Sequence, residues 1–371
     1  MKHSILFLLT ASLLITACNK KNNDTLIRVG VFDGHGGAQT CVWETVEAIK
    51  IDKEMIVSTI TTADIAAGCL DTLDAIIIPG GGGSRQFLNL GYENHQRIKT
   101  FIASGKGAVG ICAGAYLFSN TPGYASIAIN GAQAIDIEHD NRGHGVAKFT
   151  LTEQGKTIFP ELANRDTNYV VYYEGPVFVD APDSISFETL AIMQSDVHEE
   201  GNAPTNMTNN KPFFIGNNFG KGRVFSTIAH PEATPGMRWL IPRMVRWTIS
   251  KEYIQYSQNA VRPTIFNKEI LFTKEMLSQE ADCYKKFLYG TSTEKIEALN
   301  WLEQNVSWDA KRWVQGLLYD SSAEVRSRAA QYIANSEFTH YLPDLASANQ
   351  NENNPEAKKA LANALEFLKG I

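Results

Sequence analysis

Three residues able to cooperate in nucleophilic catalysis stand where strand patterns end: Cys112, His230 and Glu232. Cys112 lies in Gly110-Ile111-Cys112-Ala113-Gly114, between an apolar strand pattern (Ala108 to Ile111) and a helical one. Small neighbours let the backbone turn sharply from strand to helix and leave the sulfur at the tip, a nucleophile elbow with cysteine in place of serine. A helix starting at Ala113 aims unpaired amides and its positive end at the sulfur, which favours thiolate and leaves donors for a developing oxyanion. His230 ends the last apolar strand pattern, Gly222 to Ala229, and Glu232 follows two residues on, an imidazole base with a carboxylate to orient it. By itself His230-Pro231-Glu232 also suits the start of a helix. With a cysteine elbow upstream, a Cys-His-Glu triad is the expectation.

A second loop precedes the elbow. Pro79-Gly80-Gly81-Gly82-Gly83-Ser84 closes a strand, and glycines let backbone amides approach a ligand closely. A phosphate-binding loop would continue with Gly-Lys-Ser/Thr, which is missing here, so an oxyanion-binding loop is the better reading. The run Glu138-His139-Asp140-Asn141-Arg142-Gly143-His144 carries metal-binding residue types, but nothing fixes their spacing on one element, and no metal or other cofactor is expected.

These loops need a scaffold. Strand patterns at Leu26 to Phe32, Met55 to Ile60 and Ala75 to Pro79 alternate with helical ones at Thr40 to Lys50, Asp64 to Ala67 and Tyr92 to Ser104. Such alternation predicts an α/β fold, an open and mostly parallel sheet with flanking helices whose sites lie beyond the strand carboxyl ends. Between Ser126 and Phe178 shorter strands are expected, including a hairpin in which Ser126 to Ile129 and Ala134 to Ile137 flank Asn130-Gly131. A helix from Trp239 to Ser250 closes this domain, taken as residues 26–250, and residues 251–265 read as a linker. Beyond it, in residues 266–371, only helical patterns remain, near 267–288, 293–304, 308–318, 322–334, 339–347 and 355–369. Ala298, Ala330 and Ala362 recur at one spacing, as do Trp301, Ile333 and Leu365, which looks like a small all-α domain of HEAT-like helical repeats. Such a stack is either a protein-binding surface or a brace.

A chain of 371 residues with net charge -6 and no basic cluster outside its extreme N-terminus is a poor partner for nucleic acid. Residues 1–17 read as a targeting segment, with Lys2 and His3 before the apolar run Ile5 to Ile15. Ile15-Thr16-Ala17-Cys18 resembles the bacterial lipobox. Acylation of Cys18 would hold the protein on a membrane, each buried methylene contributing about 0.8 kcal/mol, with residues 18–25 as a polar tether. The expected location is the bacterial cell envelope, at an outer membrane facing the periplasm or at the cell surface. Cys41 and Cys69 either pair or stay free.

Taken together, these residues resemble the class I glutamine amidotransferase-like superfamily, which places a glycine loop, a Gly-x-Cys-x-Gly elbow and a late His-x-Glu in this order. Within it, the chain is similar to the amidotransferase-like domain at the N-terminus of some biotin-protein ligases. The likeness spans roughly residues 26 to 250 and rests on Asp33 to Gly37, Pro79 to Gly81, Val109 to Tyr116 and Tyr172 to Asp180. It implies Cys112, His230 and Glu232 as the triad, the backbone amides of Gly81 and Ala113 as the oxyanion hole, and Asp33, His35 and Tyr173 as substrate-contacting positions. Residues 251–371 do not read as a biotinylation or synthetase domain, so neither ligase activity nor ammonia transfer is expected. What remains is thiol hydrolysis of a small-molecule or peptide-like amide. The alternative is a binding or scaffold lipoprotein that uses the same pocket without turnover.

Overall fold

Runs such as Ile27-Arg28-Val29-Gly30-Val31-Phe32 and Ala75-Ile76-Ile77-Ile78 are too apolar to leave either face in water, which suits them to the interior of a parallel sheet. The structure, a computed structural model, describes residues 26–136, 143–198 and 204–371. The leader, Cys18 and the tether lie outside these residues, as does the run Glu138 to Arg142.

Twelve strands are described: β1 (Ile27–Phe32), β2 (Met55–Ile60), β3 (Ala75–Ile78), β4 (Gly107–Ile111), β5 (Ala132–Ala134), β6 (His144–Leu151), β7 (Asn168–Tyr173), β8 (Phe178–Asp180), β9 (Glu188–Met193), β10 (Pro212–Phe219), β11 (Gly222–Thr227) and β12 (Ile270–Leu271). The order β2-β1-β3-β4-β11 is parallel throughout. From β11 the sheet continues antiparallel through β10, β9 and β6, and β6 also pairs with β7 and β12. Helices α1 (Gln39–Ile49), α2 (Thr62–Ala66), α3 (Gly83–Ala103), α4 (Ala113–Phe118), α5 (Glu153–Ile158) and α6 (Leu240–Thr248) accompany it. Ile76, Ile77, Val29 and Val31 are fully buried, and burying each such side chain contributes about 1.5–3 kcal/mol.

The glycine run is not simply a loop, because α3 already begins at Gly83 and breaks at Gly91 (φ 73°). A Cβ at Gly83 would press on Tyr124 Oη and the Ala113 carbonyl, so the bare backbone is what brings α3 against the elbow. The expected hairpin around Asn130-Gly131 does not form. Ile127, Ile129 and Asn130 instead donate backbone hydrogen bonds to Leu117 and Phe118 at the end of α4, and β5 pairs with β8. The Asn130 side chain is drawn inward to the Ala115 carbonyl and Ser226 Oγ, both at 3.1 Å. A turn signal has been used to cap the elbow helix.

The C-terminal region is helical: α7 (Lys274–Tyr289), α8 (Ser292–Gln304), α9 (Lys311–Val314), α10 (Ala323–Asn335), α11 (Leu342–Asn351) and α12 (Pro355–Lys369). Helix α7 starts later than its pattern suggests because Ile270 and Leu271 add β12 to the edge of β6. Residues 251–265 carry no helix or strand yet are packed down, with Tyr256 and Ala260 buried. Ala298 and Ala330 occupy equivalent buried positions, whereas Ala362 is exposed. No helix of the described residues is long and apolar enough to cross a membrane.

The helical region docks onto the sheet region through buried charge. Arg238 and Lys311 lie 3.4 and 3.7 Å from the two carboxylate oxygens of Glu44 on α1. The fully buried Glu337 accepts from the Gly236 amide at 2.8 Å and pairs with Arg262.

Candidate active site

Strand β4 ends at Ile111, and Cys112 then adopts φ 51°, ψ -106°, a conformation that costs a non-glycine residue about 1–3 kcal/mol. Its surroundings fix it there. The Cys112 amide donates to the Thr227 carbonyl at 2.9 Å, and its carbonyl accepts from Tyr116 at 3.0 Å. Gly114 follows of necessity, since a Cβ there would sit 2.0 Å from the Ile78 carbonyl oxygen. The elbow is therefore wedged between β3 and β11.

His230 reaches the same place because β11 lies beside β4 in parallel, so the two carboxyl ends emerge together. Its amide donates to Val171 at 2.8 Å and its carbonyl accepts from Thr234 Oγ1 at 2.8 Å, which fixes the backbone on both sides of the ring. Nδ1 lies 2.7 Å from Glu232 Oε1, and both side chains are buried. Burial opposes charge on the imidazole. The Glu232 carboxylate, with the Cys112 and Cys41 sulfurs accepting from the ring, outweighs it and raises the ring well above its ordinary value. The carboxylate thus selects the tautomer that leaves Nε2 for proton transfer.

Cys112 Sγ is 3.5 Å from the Tyr173 carbonyl and opens on a cavity of about 510 Å³. Gly81, Ala113, Tyr173 and Arg85 line it. Among the described residues, no acceptor takes the amide of Gly81 or of Ala113. The neighbouring Gly82 amide is committed to Gly36 at 2.7 Å, part of a bridge that ties the loop after β1 to the loop after β3. Gly81 takes φ 147°, and a Cβ there would meet the Gly36 oxygen at 2.2 Å. Two free amides beside one sulfur can accept an oxyanion.

Asp33 and His35 are not among the residues that line this cavity. The bridge folds their loop back at Gly36 and Gly37, and Ala38, Thr40 and Cys41 reach the cavity instead. Tyr173 does line it. Burial, reinforced by the nearby carboxylates of Glu174, Asp309 and Glu280, pushes its phenol up to about 12, so it stays protonated.

Sequence reasoning missed two features. Cys41 is a free, buried thiol at the imidazole, and its Sγ, a His230 nitrogen and a Glu232 oxygen lie within 4.8 Å of one another. That donor set suits a thiophilic divalent ion, although in this arrangement Glu232 already occupies Nδ1. The second is the outer wall, formed by Trp308, Asp309 and Arg312 from the turn after α8 and from α9. Trp308 meets the His230 ring edge-on at 4.6 Å and lies 5.8 Å from the Tyr173 ring. No local pattern marks a single tryptophan in a turn as part of a site more than seventy residues away.

Solved structures similar to the chain include a ThuA-like protein from Parabacteroides merdae (13% identity, TM-score 0.47, covering 64% of this chain and 96% of that one). The glutaminase domain of Trypanosoma brucei CTPS is another (13% identity, TM-score 0.41, 64% and 100%). No curated protein sequence matches. The sheet with its elbow has the class I glutamine amidotransferase-like fold. The family model described as biotin-protein ligase, N terminal, matches residues 27–262, well over half of the chain, and the chain belongs to that family.

Proposed function

We propose that this protein is a thiol hydrolase that cleaves the amide of a small or peptide-like molecule through a thioester on Cys112. The observation that carries this reading is that the Cys112 sulfur shares the wall of one cavity with a buried imidazole whose Nδ1 is held by Glu232 at 2.7 Å. In the first half-reaction the sulfur attacks the carbonyl carbon, and the oxygen takes up negative charge against the amides of Gly81 and Ala113. The His230 imidazolium gives its proton to the departing nitrogen as the C–N bond breaks. In the second, His230 takes a proton from water, the hydroxide attacks the thioester, and the C–S bond breaks to release a carboxylic acid and the thiolate. Glu232 holds the ring throughout.

The cavity has room for a compact carboxamide or a short peptide end. Lipid attachment at Cys18 would place this chemistry at a membrane surface of the bacterial envelope, and the helical region offers a face for a protein partner. The test is intact-mass spectrometry of the full chain mixed with a panel of carboxamides, with iodoacetamide labelling of Cys112 in parallel. An acyl adduct that forms and decays, together with labelling slowed by His230→Ala, supports hydrolysis. Absence of any adduct, with labelling equal in both proteins, leaves a ligand-binding lipoprotein.

A further inference from the structure

Trp308 is also a wall of a second cavity, of about 280 Å³, between the sheet region and the helices. Val171 and Pro235 contribute from one side, Phe338 and Tyr332 from the other, and Phe266 and Ile265 stand in the connecting segment. Such walls suit an apolar body.

The charged groups around it do not balance. Lys311, which lines it, is 2% exposed, and its ammonium donates no hydrogen bond among the described residues. Its nearest carboxylate oxygen, on Glu44, is 3.7 Å away, and the Trp308 ring lies 3.9 Å from Nζ. Arg262, also in the lining, leaves Nε without a partner. Glu303 lines the cavity too, but Arg328 neutralises it and Asn335 Nδ2 donates to it at 2.6 Å. What is left in the contact between the two regions is three cations, Arg238, Arg262 and Lys311, against two carboxylates, Glu44 and Glu337. The Lys311 ammonium faces one carboxylate oxygen at 3.7 Å and no hydrogen-bond acceptor, and an anion brought into the cavity would supply one.

We infer that this second cavity is a binding site for a small monoanion with an apolar body, an aliphatic or aromatic carboxylate. The carboxylate pairs with Lys311, and the body packs against Trp308 and Phe338. The site is independent of whatever chemistry occurs at Cys112.

The experiment is calorimetric titration of the full chain with phenylacetate and hexanoate, with phenylethanol as the uncharged control and the quenching of tryptophan fluorescence as a second readout. Both carboxylates are expected to bind, the alcohol about tenfold more weakly or less, and Lys311→Met to weaken the carboxylates by about tenfold, the effect of losing one charged partner. Should Lys311→Met fail to fold, Ile265→Trp, at the exposed rim, is expected to block binding by filling the mouth. Lack of carboxylate binding, or equal binding by Lys311→Met, overturns the inference. So does loss of binding after carbamidomethylation of Cys112, which would assign the ligand to the first cavity. None of these readouts depends on turnover, so an inactive thiol leaves the inference standing.

Discussion

The elbow of the sheet region and four helices of the helical region are held by different means. At the starts of α7, α8, α10 and α12 the order is local: Thr273, Thr291, Ser322 and Asn354 each accept from amides of their own first turn, worth about 1 kcal/mol apiece. At the elbow no side chain caps α4. Cys112 keeps a strained backbone because β3, β11 and Gly114 leave it no alternative. Two buried imidazoles express the same contrast. His340 touches Glu44, but burial, with Lys311 and Arg238 nearby, pushes it down, and neither ring nitrogen finds a hydrogen bond. His230 is more deeply placed, its side chain 3% exposed against 13% for His340, yet its carboxylate and two sulfurs push it up. Burial alone therefore does not make a base; the neighbours that the fold supplies do.

The sharpest break of that contrast is Cys112→Ala. Amide hydrolysis is expected to fall by about 10⁴-fold or more, while the thermal midpoint barely moves, because alanine inherits the same strained backbone. Residual turnover at a tenth of the original rate would show that another group performs the attack. Next comes a pair of identical substitutions, one in each region. Gly114→Ala drives a Cβ into the Ile78 carbonyl and is expected to destabilise by about 3 kcal/mol. Gly316→Ala, in the helical turn Gln315–Tyr319, meets nothing within 4 Å and should stabilise by about 0.5–1 kcal/mol. Urea unfolding of both variants reads the difference directly.

Trp308→Ala asks whether the two regions share one site. Loss of the edge-on contact with His230 and of the cavity wall is expected to lower kcat/KM by about tenfold, most of it in KM. An unchanged kcat/KM would reduce the helical region to a brace.

What the sequence discloses follows this division. The parallel strands are legible because full burial on both faces demands runs such as Ala75-Ile76-Ile77-Ile78, and the elbow is legible because its small residues are contiguous. His230 and Glu232 could be read from a strand end. Cys41 and Trp308 could not, since each enters the site through packing between elements far apart in the chain. Asn130-Gly131 misleads for a related reason: a local turn signal was spent on a long-range contact with Ser226. Gly83 misleads because four glycines look like pure loop, whereas the last of them is a helical residue pressed against the elbow.

The smallest effect concerns acid, and it should appear in the helical region. Arg326 donates to both carboxylate oxygens of Glu352, at 2.6 and 2.8 Å, and the amides of Asn353 and Asn354 add two more hydrogen bonds at 3.0 and 2.8 Å. These bonds, that of Arg326 first, hold Glu352 down to about 2 against an ordinary value of 4.5. A carboxylate whose value is depressed on folding contributes stability above its unfolded value and loses it as pH falls toward the folded one. The contribution of Glu352 should therefore be complete at neutral pH and fade between about 4.5 and about 2. Glu352→Gln should lower the midpoint slightly at pH near neutrality and flatten the acid limb of the profile, with no change in the reactivity of Cys112 toward iodoacetamide. A variant that altered both would mean that the helical stack and the elbow unfold as one unit, and the separation between local and imposed order would not extend to their stability.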